Sequence, residues 1–284
     1  MREYIKYALC GREGLRTYVK WFGLGIIALF IIHMILIPAF SYVGTPFVET
    51  SPASAEHYRV LNYYENVGTL FAGIAFAYVL AKLIPVAVNG GTSRVNIVLG
   101  TGVTALAYSA VTILIMKAAC LITNGIYGIF GYTLDTQALV NISDAVREKA
   151  ASDPRVIFFD ICISLYLILM VYSAAFIFAA VKQCVNTPAA FVASIASAAL
   201  IYYFYLTNGS TYGYPSPNIL WENTSIHELE FALYPDPRMG YPPSYSDCVT
   251  DILSDCLIAF LIAFLIYALL MLRSSLTRGK KADI

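Results

Sequence analysis

The sequence contains few charged residues. Asp, Glu, Lys and Arg make up 13% of the 284 residues, and hydrophobic residues make up 59%. An ordinary soluble domain has roughly 25% charged and about 45–50% apolar residues. The formal net charge is +0, so no basic excess points to nucleic acid. This composition favours an integral membrane protein and excludes an ordinary soluble domain.

The sequence also lacks the short motifs that indicate a bound nucleotide, a metal or hydrolytic chemistry. There is no Gly-x-x-x-x-Gly-Lys-Ser/Thr loop, so the chain has no P-loop of its own. The six cysteines form no Cys-x-x-Cys pair, and no second histidine follows His227 at the spacing of a zinc helix. No Gly-x-Ser-x-Gly element occurs. We therefore predict no catalytic residue, no metal ligand and no cofactor in this chain.

Long apolar runs are abundant. A helix needs about 20 residues to cross the ~30 Å hydrocarbon layer of a membrane, because each residue adds about 1.5 Å. The sequence therefore predicts an all-α, polytopic membrane helix bundle within residues 21–272. Its six transmembrane helices are expected near 21–43, 67–88, 95–119, 156–181, 187–206 and 251–272.

The basic residues predict which side of the membrane each segment occupies. Most of the 18 Lys and Arg residues lie on one side if both termini are cytoplasmic, as the positive-inside rule requires. The outer loops are then 44–66, 120–155 and 207–250, and residues 273–284 form a basic cytoplasmic tail. Residues 1–20 alternate basic and apolar side chains at roughly helical spacing, which predicts an amphipathic helix on the inner leaflet. A basic flank that only fixes the topology is the alternative.

A few ionisable side chains lie within or at the ends of the predicted spans. A charge at the bilayer centre costs at least ~2.5 kcal/mol, so such residues are candidate sites. His33, near the middle of the first span, is a candidate intramembrane polar site, or else it bonds to a neighbouring hydroxyl or backbone group. Asp160, Asp251 and Asp255 lie at outer helix ends and predict either an acidic vestibule for cationic cargo or solvated helix ends.

The connection between the second and third spans has an unusual composition. Residues 88–95 read Val-Asn-Gly-Gly-Thr-Ser-Arg-Val and separate two long apolar runs. Glycine permits a tight reversal, a Ser or Thr side chain can cap the next helix, and a fixed arginine can pair with an acidic groove. An ordinary helical hairpin, whose arginine only anchors the topology, is the alternative.

The six-span pattern, the basic amino-terminal segment and this loop together resemble the ABC-2-type permease family. The likeness is more specifically to small permeases of bacterial exporters, whose loop between spans two and three carries Gly-x-Ser-Arg. The residues that match this element are Gly91, Thr92, Ser93 and Arg94. The resemblance implies that these residues couple the chain to a separate cytoplasmic ATP-binding subunit, which binds ATP and Mg²⁺. It also implies a homodimer or a pair with a second permease, in the bacterial plasma membrane.

The sequence and the resemblance together predict a transport subunit that is not itself an enzyme. A non-transporting polytopic membrane protein, such as a sensor, an assembly factor or an immunity factor, is the first alternative. An intramembrane enzyme centred on His33 and Asp160 is the second. The lipid bilayer surrounds the chain in each case, and no nucleic-acid partner is expected.

Overall fold

Five long helices account for most of the computed structural model of the chain. The structure describes residues 12–40, 48–50, 58–61, 63–130, 132–135, 149–182, 192, 196, 229, 232–234 and 244–282. The long helices within these ranges are α1 (Arg12–Phe40), α2 (Tyr63–Asn89), α3 (Arg94–Ile129), α4 (Pro154–Lys182) and α5 (Tyr245–Ala282).

Each long helix contains a stretch that is long and apolar enough to cross a membrane. These stretches are Glu13–Ile35, Val67–Asn89, Arg94–Ile129, Pro154–Lys182 and Tyr245–Arg273. The prediction of an all-α polytopic membrane bundle is confirmed, and the chain is an integral membrane protein. The sixth predicted span, 187–206, lies outside the described residues except for two isolated helical positions, Val192 and Ala196.

The helices extend beyond the apolar runs, so the predicted boundaries differ from the observed ones. α1 begins at Arg12 and continues without interruption into the first span, so the described part of the amino-terminal segment, residues 12–20, is helical and continuous with that span. Tyr18 in this segment is fully buried and stacks on Tyr108, with ring centroids 4.4 Å apart. Packing against α3 therefore stabilises the helical conformation of residues 12–20, although their composition would also suit a helix on the membrane surface. Residues 1–11 lie outside the described part.

The segments predicted as outer loops are partly helical. α2 begins at Tyr63, α3 continues to Ile129, and α5 begins at Tyr245. Part of each predicted loop is therefore helical: α2 includes the end of 44–66, α3 the start of 120–155, and α5 the end of 207–250. A hydropathy pattern marks only the apolar part of a helix, whereas the helical backbone continues for as long as packing and hydrogen bonds support it.

Three short strands form a small sheet that the sequence did not predict. The strands are β1 (Val48–Thr50), β2 (Tyr58–Leu61) and β3 (Tyr132–Asp135), in the order β1-β2-β3. β1 and β2 are antiparallel, whereas β2 and β3 are parallel. Because β2 precedes α2 and β3 follows α3, the sheet lies at one end of the bundle, which we call the sheet end. The opposite end, where α2 connects to α3, is called the turn end.

α4 lies at the centre of the described bundle and packs against α2 and α5, while α2 also packs against α1. A close approach of α2 to α4 depends on Gly73. A Cβ atom added at this position would lie 1.9 Å from Val171 Cγ1, which is far inside van der Waals contact. A small residue at Gly73 therefore sets the distance between these two helices.

Candidate functional site

The connection at the turn end is a tight reversal. Gly91 has a φ of 78°, the left-handed region in which glycine has no Cβ penalty. The amide of Gly90 donates to the Val86 carbonyl at 2.9 Å, and the amide of Thr92 donates to the Ala87 carbonyl at 3.0 Å. These bonds satisfy carbonyls in the last turn of α2, so they close the helix and fix the course of the chain.

Ser93 caps the first turn of α3, as the sequence predicted for this loop. Its backbone is extended, with φ −60° and ψ 141°, and its side chain accepts a hydrogen bond from the Asn96 amide at 3.3 Å. Gly91 and Ser93 are exposed, whereas Thr92 and Arg94 are half-buried. The four predicted coupling residues therefore form one short and well-defined turn.

Arg94 connects this turn to the last helix. Its Nη1 atom donates a hydrogen bond to the backbone carbonyl of Met271 in α5, at 3.2 Å. An arginine side chain carries five N–H donors, so this bond engages only part of its capacity. The turn is thus attached to α2 and α3 through the backbone and to α5 through this side chain.

A cluster of three charged side chains lies towards the sheet end. Lys117 of α3 forms ion pairs through Nζ with Glu65 Oε1 and with Asp160 Oδ2. Glu65 is in the first turn of α2, where the helix dipole favours a carboxylate, and Asp160 is in the second turn of α4. The side chain of Lys117 is 22% exposed, while those of Glu65 and Asp160 are 0% and 7% exposed. We call these three residues the charged triad.

The charged triad changes the interpretation of the predicted acidic vestibule. Asp160 is buried against Lys117, and Asp251 is exposed on α5. The side chain of Asp255 lies outside the described part. Asp160 therefore belongs to an ion pair between helices. Among the described side chains, neither of the other two predicted vestibule residues lies beside it. Glu65 was missed because hydropathy placed it in an outer loop.

His33 is buried at the sheet end within an aromatic cluster. Its ring stacks on Tyr64 with centroids 4.8 Å apart, and Tyr127 lies edge-on at 6.3 Å. The Tyr127 hydroxyl lies 3.3 Å from His33 Nδ1 and donates to the His33 carbonyl at 3.1 Å. This contact is the alternative expected for His33, a hydrogen bond to a neighbouring hydroxyl group. His33 and Asp160, the two residues on which the alternative of an intramembrane enzyme was centred, thus contact different partners.

A third polar group lies deeper in the bundle, among aromatic rings. The hydroxyl groups of Tyr18 and Tyr172 are 2.6 Å apart, and both contact Thr112 Oγ1. Thr112 in turn donates to the Tyr108 carbonyl at 2.7 Å. These bonds satisfy the buried hydroxyl groups of three different helices, so they favour one alignment of α1, α3 and α4.

Neither a metal site nor a similar protein indicates what the turn, the charged triad and the buried polar clusters do. Within the described ranges, no three His, Cys, Asp or Glu side chains form a group that could hold a metal ion. Comparisons of the chain with protein-family models, with curated proteins and with solved structures found no match. The class that the fold defines is a polytopic helical membrane protein with a capped turn at one end and a charged triad towards the other.

Proposed function

We propose that this chain is the membrane-spanning permease subunit of an ATP-driven exporter of the ABC-2 type. The observation that carries the proposal is the exposed, capped turn whose residues match the family's Gly-x-Ser-Arg loop. A separate cytoplasmic subunit binds ATP and Mg²⁺ and contacts this turn, and this chain is not itself an enzyme. The turn end is then cytoplasmic, and the membrane is the bacterial plasma membrane.

The construction of the turn supports a mechanical role. Ser93 fixes the start of α3, and the hydrogen bonds at Gly90 and Thr92 fix the end of α2. A displacement of the turn therefore moves both helices together. Arg94 carries the same displacement to α5 through the Met271 carbonyl. Lys117 of the charged triad also lies in α3, so a movement of this helix displaces one member of the triad.

Within this proposal the four coupling residues have different tasks. Gly91 and Ser93 are exposed and form the surface that the ATP-binding subunit contacts. Arg94 is half-buried against α5, so we assign it a positioning role in place of a direct pairing with an acidic groove. The partner then recognises the shape of the turn.

Purification from the native host tests the proposal. A tagged chain solubilised in mild detergent should retain a P-loop ATPase at fixed stoichiometry, and native mass spectrometry should show a dimer of permease chains in the same complex. Thr92→Tyr adds bulk beside the exposed surface, and Arg94→Glu breaks the contact with α5. Both variants should lose the ATPase while the permease remains folded.

The matched control is Ser246→Tyr, which introduces the same side chain at an exposed position in the first turn of α5, near the sheet end. This variant should retain the ATPase. If both turn variants retain the ATPase, the proposed contact is wrong. If the wild-type chain purifies without any P-loop ATPase, a non-transporting role as a sensor, an assembly factor or an immunity factor replaces the transport proposal.

A further inference from the structure

The helices α1 and α2 lie side by side, and two contacts between exposed side chains fix their register. Lys82 Nζ of α2 lies 3.5 Å from Glu13 Oε2 of α1. The ring of Trp21 in α1 meets that of Tyr78 in α2 edge-on, with centroids 5.6 Å apart. Between these contacts the residue numbers rise along α1 and fall along α2, so the two helices are antiparallel. Equal depths on the two helices can therefore be compared.

The exposed side chains of both helices change together from apolar to aromatic to basic towards the turn end. Along α2 the exposed residues recur every four positions and are Leu70, Ile74, Tyr78 and Lys82. Along α1, in the opposite direction of the chain, they are Ile27, Leu24, Trp21, Lys20 and Arg16. We call these nine residues the α1–α2 face. A change at matching depth on two helices is what the surface of a bilayer imposes.

The aromatic pair marks the level of the lipid headgroups on this face. Trp21 and Tyr78 are each 48% exposed. Among the side chains that the structure describes, no other tryptophan or tyrosine is exposed. Tryptophan and tyrosine are enriched at the membrane–water interface, where their rings lie at the headgroup level. The apolar part of the α1–α2 face is then level with acyl chains, and the basic part is level with phosphates.

The basic side chains lie within reach of one phosphate layer. Lys82 is one helical turn beyond Tyr78, and Arg16 is about one turn beyond Lys20, which is about 5.4 Å in each case. The polar layer of one leaflet is roughly 5–7 Å thick. Because Cα–Cβ bonds tilt towards the start of a helix, Lys20 and Lys82 lean towards each other from antiparallel helices. Solvent screens the exposed pair of Lys82 with Glu13, so this pair competes weakly with a phosphate.

We propose that the α1–α2 face is a binding site for an anionic phospholipid. The phosphate lies against Lys20 and Lys82, and the acyl chains follow Leu24 and Ile74. Three basic residues and one acidic residue, Glu13, give this region a positive charge, so a headgroup with a net negative charge is preferred to a zwitterionic one. This inference does not depend on the proposed ATP-binding partner, because the site lies within the single chain.

Trp21 itself can report the lipid that contacts this face. The chain has two tryptophans, so Trp221→Phe leaves Trp21 as the only indole. This variant is reconstituted into phosphatidylcholine vesicles that contain increasing fractions of phosphatidylglycerol with brominated acyl chains, because bromine quenches indole fluorescence on contact. Brominated phosphatidylcholine serves as the reference. Phosphatidylglycerol should be preferred at Trp21 by about five-fold or more, since each basic residue near the surface contributes roughly a factor of five.

Further variants in the same background show whether the preference belongs to this site. Lys20→Gln combined with Lys82→Gln should reduce the preference to about one, whereas Lys20→Arg combined with Lys82→Arg keeps both charges and should retain it. The matched control is Arg273→Gln, which removes an exposed basic residue near the turn end of α5. This control should keep the preference. An equal loss in Arg273→Gln and in the double glutamine variant would show a general surface attraction and would overturn the proposal.

The same measurement separates a phospholipid from other occupants. Glycerol phosphate carries the phosphate without acyl chains, so an excess of it should leave the quenching by brominated phosphatidylglycerol unchanged. If glycerol phosphate relieves the quenching, the site takes a free phosphate and the lipid proposal is wrong. Equal quenching by the two brominated lipids would show contact without selection and would also contradict the proposal. If neither lipid quenches Trp21, another protein chain covers the face and the proposal fails.

Discussion

At the scale of single residues, the charged triad has large energetic consequences. Lys117 compensates two carboxylates that are almost completely withdrawn from solvent. Breaking a buried ion pair by removing one partner costs about 3–5 kcal/mol, because the remaining charge is left uncompensated. Removing all the charges together costs far less, since no charge then remains buried.

This asymmetry gives a prediction for the triad. Lys117→Met should lower the free energy of unfolding by about 3 kcal/mol or more. The triple variant Glu65→Gln, Lys117→Met, Asp160→Asn should be clearly more stable than Lys117→Met alone. Denaturant unfolding of both variants measures the difference. A triple variant less stable than the single one would show that the triad is not an electrostatic unit.

The aromatic cluster around His33 gives a second prediction at this scale. Tyr127→Phe removes the hydroxyl that donates to the His33 carbonyl, and the buried acceptor then loses that bond. The expected loss of stability is about 1 kcal/mol, the usual value for one hydrogen bond. Tyr78→Phe, at an exposed ring that meets Trp21 edge-on, should change the stability little. Equal effects of the two substitutions would contradict the assigned role of the Tyr127 hydroxyl.

At the scale of helices, the start of α3 depends on one side chain. Ser93→Ala removes the acceptor for the Asn96 amide, and loss of a serine cap typically costs about 1 kcal/mol. Hydrogen exchange at the Asn96 amide should become faster, while exchange near Met116 in the middle of α3 should not change. Ser93→Asp keeps a cap acceptor and should retain the slow exchange. Fast exchange in both variants would indicate that the Ser93 side chain does not control this end.

The approach of α2 to α4 depends on a glycine. Gly73→Leu places a side chain where even a Cβ atom would overlap Val171, so the two helices must separate. We expect a loss of stability of at least ~1–3 kcal/mol, the range typical of overpacking. Gly23→Leu is the matched control, because a Cβ atom added at Gly23 would meet no other atom within 4 Å. Thermal unfolding in detergent compares the two variants. An unfolding temperature of Gly73→Leu equal to that of Gly23→Leu would contradict the close packing of α2 against α4.

At the scale of the whole molecule, a contact at the ends of two spans joins the starts of α4 and α5. Asp153 accepts hydrogen bonds from Arg155 Nη2 at 2.8 Å and from the Tyr234 hydroxyl at 3.3 Å, and Tyr245 donates to the Arg155 carbonyl at 2.8 Å. The hydrogen bond from the Arg155 side chain holds the pKa of Asp153 below its ordinary value. Because the folded-state pKa is depressed, the contribution is present above the unfolded-state pKa and is lost as the pH falls through the folded-state value.

The pH dependence of this contact is testable by substitution. Asp153→Asn should be slightly less stable than the wild type at neutral pH, and the difference should shrink as the pH falls through the depressed folded-state pKa of Asp153, because the wild-type carboxyl is then also uncharged. The effect is small because solvent screens an exposed ion pair. Unfolding temperatures of both proteins measured across the acid range provide the comparison. A difference that persists unchanged in acid would show that the Asp153 charge does not contribute.

Much of the fold could be predicted from the sequence, but little of the candidate site could be. The cap at Ser93 and the glycine reversal were predicted because both depend on residues within a few positions of each other. The hydrogen bond of Arg94 to Met271 could not be predicted, since 177 positions separate the two residues. The role of residues 12–20 was also undecided, because their pattern suits a membrane surface as well as the packed helix that forms.

The sequence by itself determined that this is a polytopic helical membrane protein. The length and apolar composition of each run can be read locally, and an apolar run of about 20 residues is long enough to cross a membrane as a helix. It also determined the position of the turn at residues 90–93. Only the tertiary structure decided which polar groups meet. Glu65 and Asp160 are 52 and 43 positions from Lys117. Their convergence depends on the register of three packed helices, which no single segment encodes.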